Sequence, residues 1–334
     1  MGGRWLDVRR LQTELRLRQR AVPRLASMGS TKRRDRAVRQ TEGAKRADRP
    51  RSAILGGASF DRYAPCGQLV DTTMRVVTWN VWGRYGPWEQ RQAGIEDVLA
   101  GVEPDIVCLV ESWATREASQ ADRIGDRLGL EHRLFVGDWD HEGWTSGIGV
   151  ISRWPIAEHE RHPLRGDDGD GMGEACFAAI DGPRGPVQLF VVMLDYPLHA
   201  SGLRQAQVRQ LANFVARTTR RRHPMVVCGD FTAGPHSDEL RMLTGRGETS
   251  VPGLVFYDAW ELGGDRTAGY TWSNRKPLAA SGLYPDRRFD YILSAWPRAG
   301  GVGHPTQCGL RGATLTPEQP QLSDHYGVVA DLRY

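Results

Sequence analysis

Beyond Thr73 the chain alternates short, almost wholly apolar runs with segments whose apolar residues recur at three- and four-residue spacing. Runs of the first kind suit strands buried on both faces, and segments of the second kind suit amphipathic helices. Arg75–Val81, Asp105–Val110 and Met225–Asp230 read as buried strands. Further strands are expected near Glu131–Val136, Gly147–Ile151, Glu174–Ile180, Val187–Leu194, Leu254–Trp260, Phe289–Leu293 and Val328–Leu332. Helices are expected over Gln90–Ala100, with Ile95, Val98 and Leu99 on one face, and over Arg116–Leu128 and Ser201–Arg220. A short helix over Asp238–Thr244 takes Ser237 as its N-cap. Strands mixed with helices over Met74–Tyr334 predict one α/β domain, two packed sheets with helices outside.

Three of these runs end in a residue with chemistry. Met225-Val226-Val227-Cys228-Gly229 delivers Asp230 to the strand's C-terminal mouth, followed by Phe231-Thr232 and a turn. Asn80 and Glu111 close the first two runs in the same way, and the clusters Arg287–Tyr291 and Ser323–Tyr326 lie beside the C-terminal strands. Taken singly, each has an ordinary structural account: a turn asparagine, a helix-start carboxylate, an ion-pair partner, a loop histidine. Together they place amide, carboxylate and imidazole groups at strand ends that one mouth would collect.

Charge divides the chain. Of the 334 residues, Met1–Thr73 carries 17 Lys+Arg against 7 Asp+Glu, while Met74–Tyr334 carries 27 against 33. The N-terminal segment 1–73 is therefore expected to be basic and disordered, and the start of the natural protein is expected at Met74. The acidic body needs a local basic patch or a metal to hold a phosphate. Five scattered cysteines without a Cys-x-x-Cys pair argue against structural zinc, and buried free thiols suit a reducing, cytoplasmic setting. No apolar stretch is long enough to span a membrane, so stable membrane insertion is not expected.

In chain order, Thr78-Trp79-Asn80, Pro104-Asp105-Ile106-Val107-x-Leu109-x-Glu111, Gly229-Asp230-Phe231, Arg287-x-x-Asp290-Tyr291 and Ser323-Asp324-His325 resemble the endonuclease/exonuclease/phosphatase superfamily. Gly147–Pro155 and Tyr270–Ser273 look like two further segments of it. The resemblance spans essentially Met74–Tyr334 and implies a four-layered α/β sandwich of two packed, mostly antiparallel sheets flanked by helices. It also implies a Mg²⁺- or Mn²⁺-dependent hydrolase of phosphate esters. By the same resemblance Glu111 is the metal-binding carboxylate, with Asn80 beside it touching the metal or the scissile phosphate, and Asp324 is a second acidic group near metal and phosphate. Asp230 positions or deprotonates the attacking water, His325 contacts the phosphoryl oxygens, and Asp290 orients His325. Arg204 and Gln207, in Ser201–Gln207, resemble residues that brace the site.

Two positions depart from the family pattern. Thr232 stands where the family usually has Asn, offering a shorter hydroxyl in place of an amide. Met193 stands where a Thr-His-Leu run carries a second histidine, and His199 is the nearest candidate to replace it. The leading expectation is a phosphodiesterase or nuclease with a phosphate-ester substrate, DNA or RNA included, and no protein partner. A sphingomyelinase-like enzyme or inositol-phosphate phosphatase is the first alternative, and a weakened binding module that keeps the fold is the second. Eleven tryptophans, among them Trp79, Trp82 and Trp113 near strand ends, offer surfaces for base stacking or lipid contact.

Overall fold

In a computed structural model, β1 (Thr73–Asn80) sends Met74 and Val76 into one apolar cluster and Val77 and Trp79 into another, so both of its faces are covered. The structure describes residues 69–218, 225–276, 278–279, 284–295, 299–313 and 321–334. Contacts divide the chain into Met1–Gly56 and Gly57–Tyr334, and every described residue belongs to the second unit. The expected basic, disordered segment lies outside the described residues up to 68. Val70 already donates to the Gly300 carbonyl and Thr72 accepts from the Tyr334 amide, so packing begins ahead of Met74.

After β1 the elements run α1 (Trp88–Val102), β2 (Ile106–Ala114), α2 (Gln120–Leu128), β3 (His132–His141) and β4 (Trp144–Ser152). Then follow β5 (Ile156–Leu164), β6 (Gly173–Gly182), β7 (Gly185–Met193), α3 (Ser201–Thr218), β8 (Met225–Asp230) and α4 (Asp238–Leu243). The chain closes with β9 (Phe256–Asp258), α5 (Ala259–Gly263), β10 (Asp290–Ala295), β11 (Pro305–Arg311) and β12 (Gly327–Arg333). Two six-stranded sheets result, ordered β11-β12-β1-β2-β4-β3 and β5-β6-β7-β8-β10-β9. Each holds one parallel pair, β1 with β2 and β7 with β8, and is otherwise antiparallel.

Three apolar clusters fill the layers. Val76, Cys108, Val191, Cys228 and Ile292 meet between the sheets. Ile95, Leu99 and Ile124 of α1 and α2 cover the outer face of the first sheet, and Val208, Leu211, Val215 and Leu240 of α3 and α4 cover that of the second. The expected four layers are present, each buried because its apolar stripe has nowhere else to go.

Local differences from the expected elements have local causes. The helix expected from Arg116 begins at Gln120, because Ser119 and Asp122 form a capping box that fixes its first turn. Leu254–Trp260 holds only three strand residues before Asp258 caps α5 through the Trp260 amide. Ser237 sits at the expected N-cap of α4 without a side-chain cap bond. β5 and β11 were not expected: Glu158, His159 and Glu160 of one and Thr306 and Gln307 of the other are exposed on edge strands that lack the apolar run of a central one. The four described cysteines are buried and free. Among the described residues, no helix is long and apolar enough to cross a membrane.

Candidate active site

Asn80 ends β1 and Asp230 ends β8, both on strand faces turned toward the other sheet, and the Asn80 amide donates to Asp230 Oδ2 across the gap at 3.0 Å. The same amide nitrogen lies 3.2 Å from Glu111 Oε1, while the Asn80 side-chain oxygen accepts from the Trp82 backbone. Asn80 thus turns N–H groups, not its oxygen, toward the mouth. Asp230 pairs in register with Asp290 on β10 and Met193 on β7, so these three side chains share the inner face. Gly229 allows this close spacing, since a Cβ there would come within 2.0 Å of the Val192 carbonyl oxygen at a φ of 133°.

Glu111 reaches the mouth by a different device. Strict alternation along β2 puts Val110 inward and Glu111 outward, but a bulge interrupts the β2–β4 register between Leu109 and Ser112, and Glu111 adopts φ 52°. The bulge re-aims the carboxylate toward Asn80.

His325 completes the set. Its Nδ1 lies 2.7 Å from Asp290 Oδ2 and its Nε2 lies 3.8 Å from Asp230 Oδ2. Burial alone would pull the imidazole down, but Asp290, Asp230 and Asp324 together outweigh it and raise its pKa to about 10. Burial pushes Asp230 up to about 6, with Asp290 adding to it and His325, Asn80 and Thr232 working against it. The Ser323 hydroxyl donates to the Asn80 carbonyl at 2.7 Å and accepts from the His325 amide, fastening the Ser-Asp-His segment to the end of β1. Asp324 is buried between these anchors.

Thr232, at φ 47°, points its hydroxyl back to Asp230 Oδ1 at 3.2 Å, and its amide reaches the same oxygen at 2.8 Å. Its side chain orients the carboxylate from inside the site. Met193 is buried in the inter-sheet cluster. His199 is exposed on the loop after β7. Arg204 donates to the carbonyls of Asp195, Pro197 and Leu198 and pairs with the buried Glu239, while Gln207 holds the Asp195 amide and carboxylate. Both brace the His199 loop and not the Asp230 cluster. Accordingly, His199→Ala is expected to lower turnover by less than about tenfold, against the roughly 10²-fold loss of a general acid or base; steady-state kinetics decides.

Sequence reasoning passed over two cations. Arg91, on α1 and 1 % exposed, donates to the carbonyls of Val81, Trp82, Gly83, Tyr85 and Leu322. It clamps the segment after Asn80 to the one before Ser323, and burial lowers its pKa to about 10 against the pull of Asp324 and Glu111. Lys276, 2 % exposed, sets its amine 3.4 Å from the Asp324 carbonyl and 3.1 Å from the Tyr326 ring centre. Burial lowers this amine to about 7, with Asp324 and Asp290 opposing. Arg91 lies four residues before Ile95 on the buried face of α1 and Lys276 lies in a loop, but for charged side chains surface exposure is the ordinary expectation.

Two donor sets could hold a divalent cation. Asp230, Asp290 and His325 each offer a ligand atom within 4.8 Å of the others. In that set Asp290 already engages the His325 ring, and a protonated imidazole has no lone pair to give. Glu111 offers a carboxylate oxygen beside the Asn80 amide and Asp324 a buried one on the Ser323–His325 segment fastened to the end of β1, and hard oxygens fit Mg²⁺ or Mn²⁺.

Solved structures share this architecture. D. rerio TDP2 in complex with a single-strand DNA product superposes with a TM-score of 0.63 at 20% identity, covering 79% of this chain and 100% of that one. The human Nocturnin catalytic domain with bound sulfate gives 0.57 at 21%, covering 78% and 93%. An endonuclease/exonuclease/phosphatase from Beutenbergia cavernae gives 0.59 at 23%, covering 78% and 72%. Comparison with curated protein sequences returns no match. The structural likenesses carry the fold alone; the family's sequence pattern extends from Val77 in β1 to His325 of the site, and by its match over residues 77–325 the chain belongs to the endonuclease/exonuclease/phosphatase family.

Proposed function

We propose that this chain is a Mg²⁺- or Mn²⁺-dependent phosphodiesterase that cleaves nucleic-acid phosphodiesters by attack of water on phosphorus. Family membership supports a hydrolase of the phosphodiesterase or nuclease type. The observation that carries the finer reading is the line of polar groups across the inter-sheet mouth: Asn80 hydrogen-bonded to Asp230, His325 facing Asp230 at 3.8 Å, and Asp290 hydrogen-bonded to His325.

Each residue has a job that its surroundings suit. Asp230, ionised and steered by Thr232 and Asn80, accepts the proton of the attacking water. His325, kept protonated by Asp290, donates to the phosphoryl oxygens as negative charge builds there. The Asn80 amide, already a double donor, ties the two carboxylates and lies beside the same oxygens. Glu111 and Asp324 would hold the divalent cation, which when bound neutralises charge on the phosphoryl group. Support for a nucleic-acid substrate comes from D. rerio TDP2, whose structure holds a single-strand DNA product. Thr232 and Met193 favour a weakened binding module, but the intact carboxylate and imidazole set outweighs them.

A substrate panel tests the proposal: single-stranded and plasmid DNA, abasic duplex, RNA, sphingomyelin and inositol phosphates, each with Mg²⁺, Mn²⁺ and chelator. Metal-dependent cleavage of DNA or RNA is expected; turnover confined to sphingomyelin or inositol phosphates overturns the nucleic-acid assignment. Within the same assay, Glu111→Gln is expected to raise the cation concentration for half-maximal activity by about tenfold or more, because it keeps the shape and removes the charge. Unchanged metal dependence would show Glu111 to be a structural carboxylate.

A further inference from the structure

Beside Glu111 stands an aromatic cluster that the hydrolytic chemistry does not use. The rings of His141 and Trp144 stack with centres 4.0 Å apart and 13° between planes. Tyr85 meets Trp144 edge-on at 5.5 Å and His141 at 5.8 Å, and the buried Trp82 lies 5.7 Å from Tyr85. Tyr85, His141 and Trp144 are half-buried, and none of the four rings belongs to an apolar core cluster of the described residues.

Position ties the cluster to the site. The Gly83 amide donates to the Glu111 carbonyl at 2.9 Å. A Cβ at Gly83 would lie 2.7 Å from Trp144 Cη2 and 3.5 Å from that same carbonyl oxygen, so the indole edge lies against the backbone that carries Glu111. Two non-glycine residues here hold a costly left-handed backbone, Trp82 in the loop at φ 55° and Glu111 in β2 at 52°. Four of the carbonyls clamped by Arg91 come from Val81, Trp82, Gly83 and Tyr85. Such strain persists where the surroundings over-determine it, as they do at ligand clamps.

Charge narrows the occupant. The β3–β4 hairpin presents exposed Asp140 and Glu142, Asp138 is paired with Arg161, the nearby Arg84 is stacked over Trp88, and the body is acidic, so this rim carries no basic patch to draw a long polyanion or an anionic membrane surface. A planar, uncharged ring gains by stacking whatever its sequence identity.

We propose that the His141–Trp144 stack is a nucleobase subsite, which seats a base next to the scissile phosphate of a short single-stranded substrate by extending the stack. The inference rests on the phosphodiesterase reading and adds to it the group beside phosphorus. The test uses the full chain with Mg²⁺ or Mn²⁺ on a thymidine dinucleotide and on its two analogues with one base replaced by hydrogen. The wild type is expected to lose roughly tenfold to a hundredfold in kcat/KM on one of the two analogues. Trp144→Ala should impose a similar loss on the parent dinucleotide through KM and leave that analogue unaffected, and Trp144→Phe should restore most of the loss. Equal losses on parent and analogues overturn the subsite while leaving the phosphodiesterase standing. Hydrolysis of none of the three counts against nucleotide phosphodiester chemistry instead; quenching of tryptophan emission by the dinucleotide, weakened in Trp144→Ala, then tests the subsite alone, and absence of quenching overturns it.

Discussion

Asp230→Asn is expected to lower turnover by 10² to 10⁴, on the order of what a positioned acid or base contributes, while substrate and cation still bind. The carboxylate is gripped on both oxygens, by the Thr232 amide and hydroxyl on one and by the Asn80 amide on the other. Burial raises it to about 6, close enough to neutrality to receive a proton and low enough to be ionised there. Asn keeps the size, cannot take the proton, and sets its own N–H groups against those of Asn80 or Thr232. Because the ionised form acts, wild-type activity should be lost as pH falls through about 6. Steady-state kinetics with equilibrium binding of a phosphorothioate oligonucleotide separates chemistry from binding. An Asp230→Asn enzyme that keeps most of its turnover sinks the assignment.

Asp290→Asn should have the next largest effect, and its signature is a moved pH limb. In the proposed role His325 acts with its proton, so activity is expected below its pKa of about 10 and should be lost as pH rises through it. Burial pulls that pKa down, and Asp290, 2.7 Å away, is the foremost of the carboxylates that hold it up. A neutral amide in its place leaves burial less opposed, so the falling limb moves to lower pH and turnover on the alkaline side drops about 10²-fold. Full pH–rate profiles of both enzymes provide the check. A falling limb that stays put or moves upward refutes the role given to Asp290, whereas a mere loss of fold would lower activity at every pH without displacing the limb.

Much of this site can be read along the chain. Val226 and Cys228 alternate inward with Asp230, Val76 and Thr78 with Asn80, and Ile292 with Asp290, because a strand buried on both faces repeats every second residue and its end inherits the parity. The two sheets, their flanking helices and the apolar face of each element follow from the same local rule. Edge strands escaped it: β5, with Glu158, His159 and Glu160 facing solvent, has no second covered face to leave an apolar trace.

Residues whose roles depend on distant partners lie beyond that rule. The parity of β2 sends Glu111 the wrong way, and only a bulge, made by pairing with β4, turns it to the mouth. Arg91 reads as a helix-surface cation, yet it is buried by a segment 231 residues away and by the loop after β1. The Tyr85, His141 and Trp144 rings gather only when the β3–β4 hairpin folds against Gly83. Sequence by itself determined the strands covered on both faces and the polar residues at their ends, since periodicity is a property of neighbours. Tertiary structure alone decided which of those ends meet, which carboxylate is re-aimed and which cation is buried, since register, bulges and burial are set by chain segments far apart in sequence.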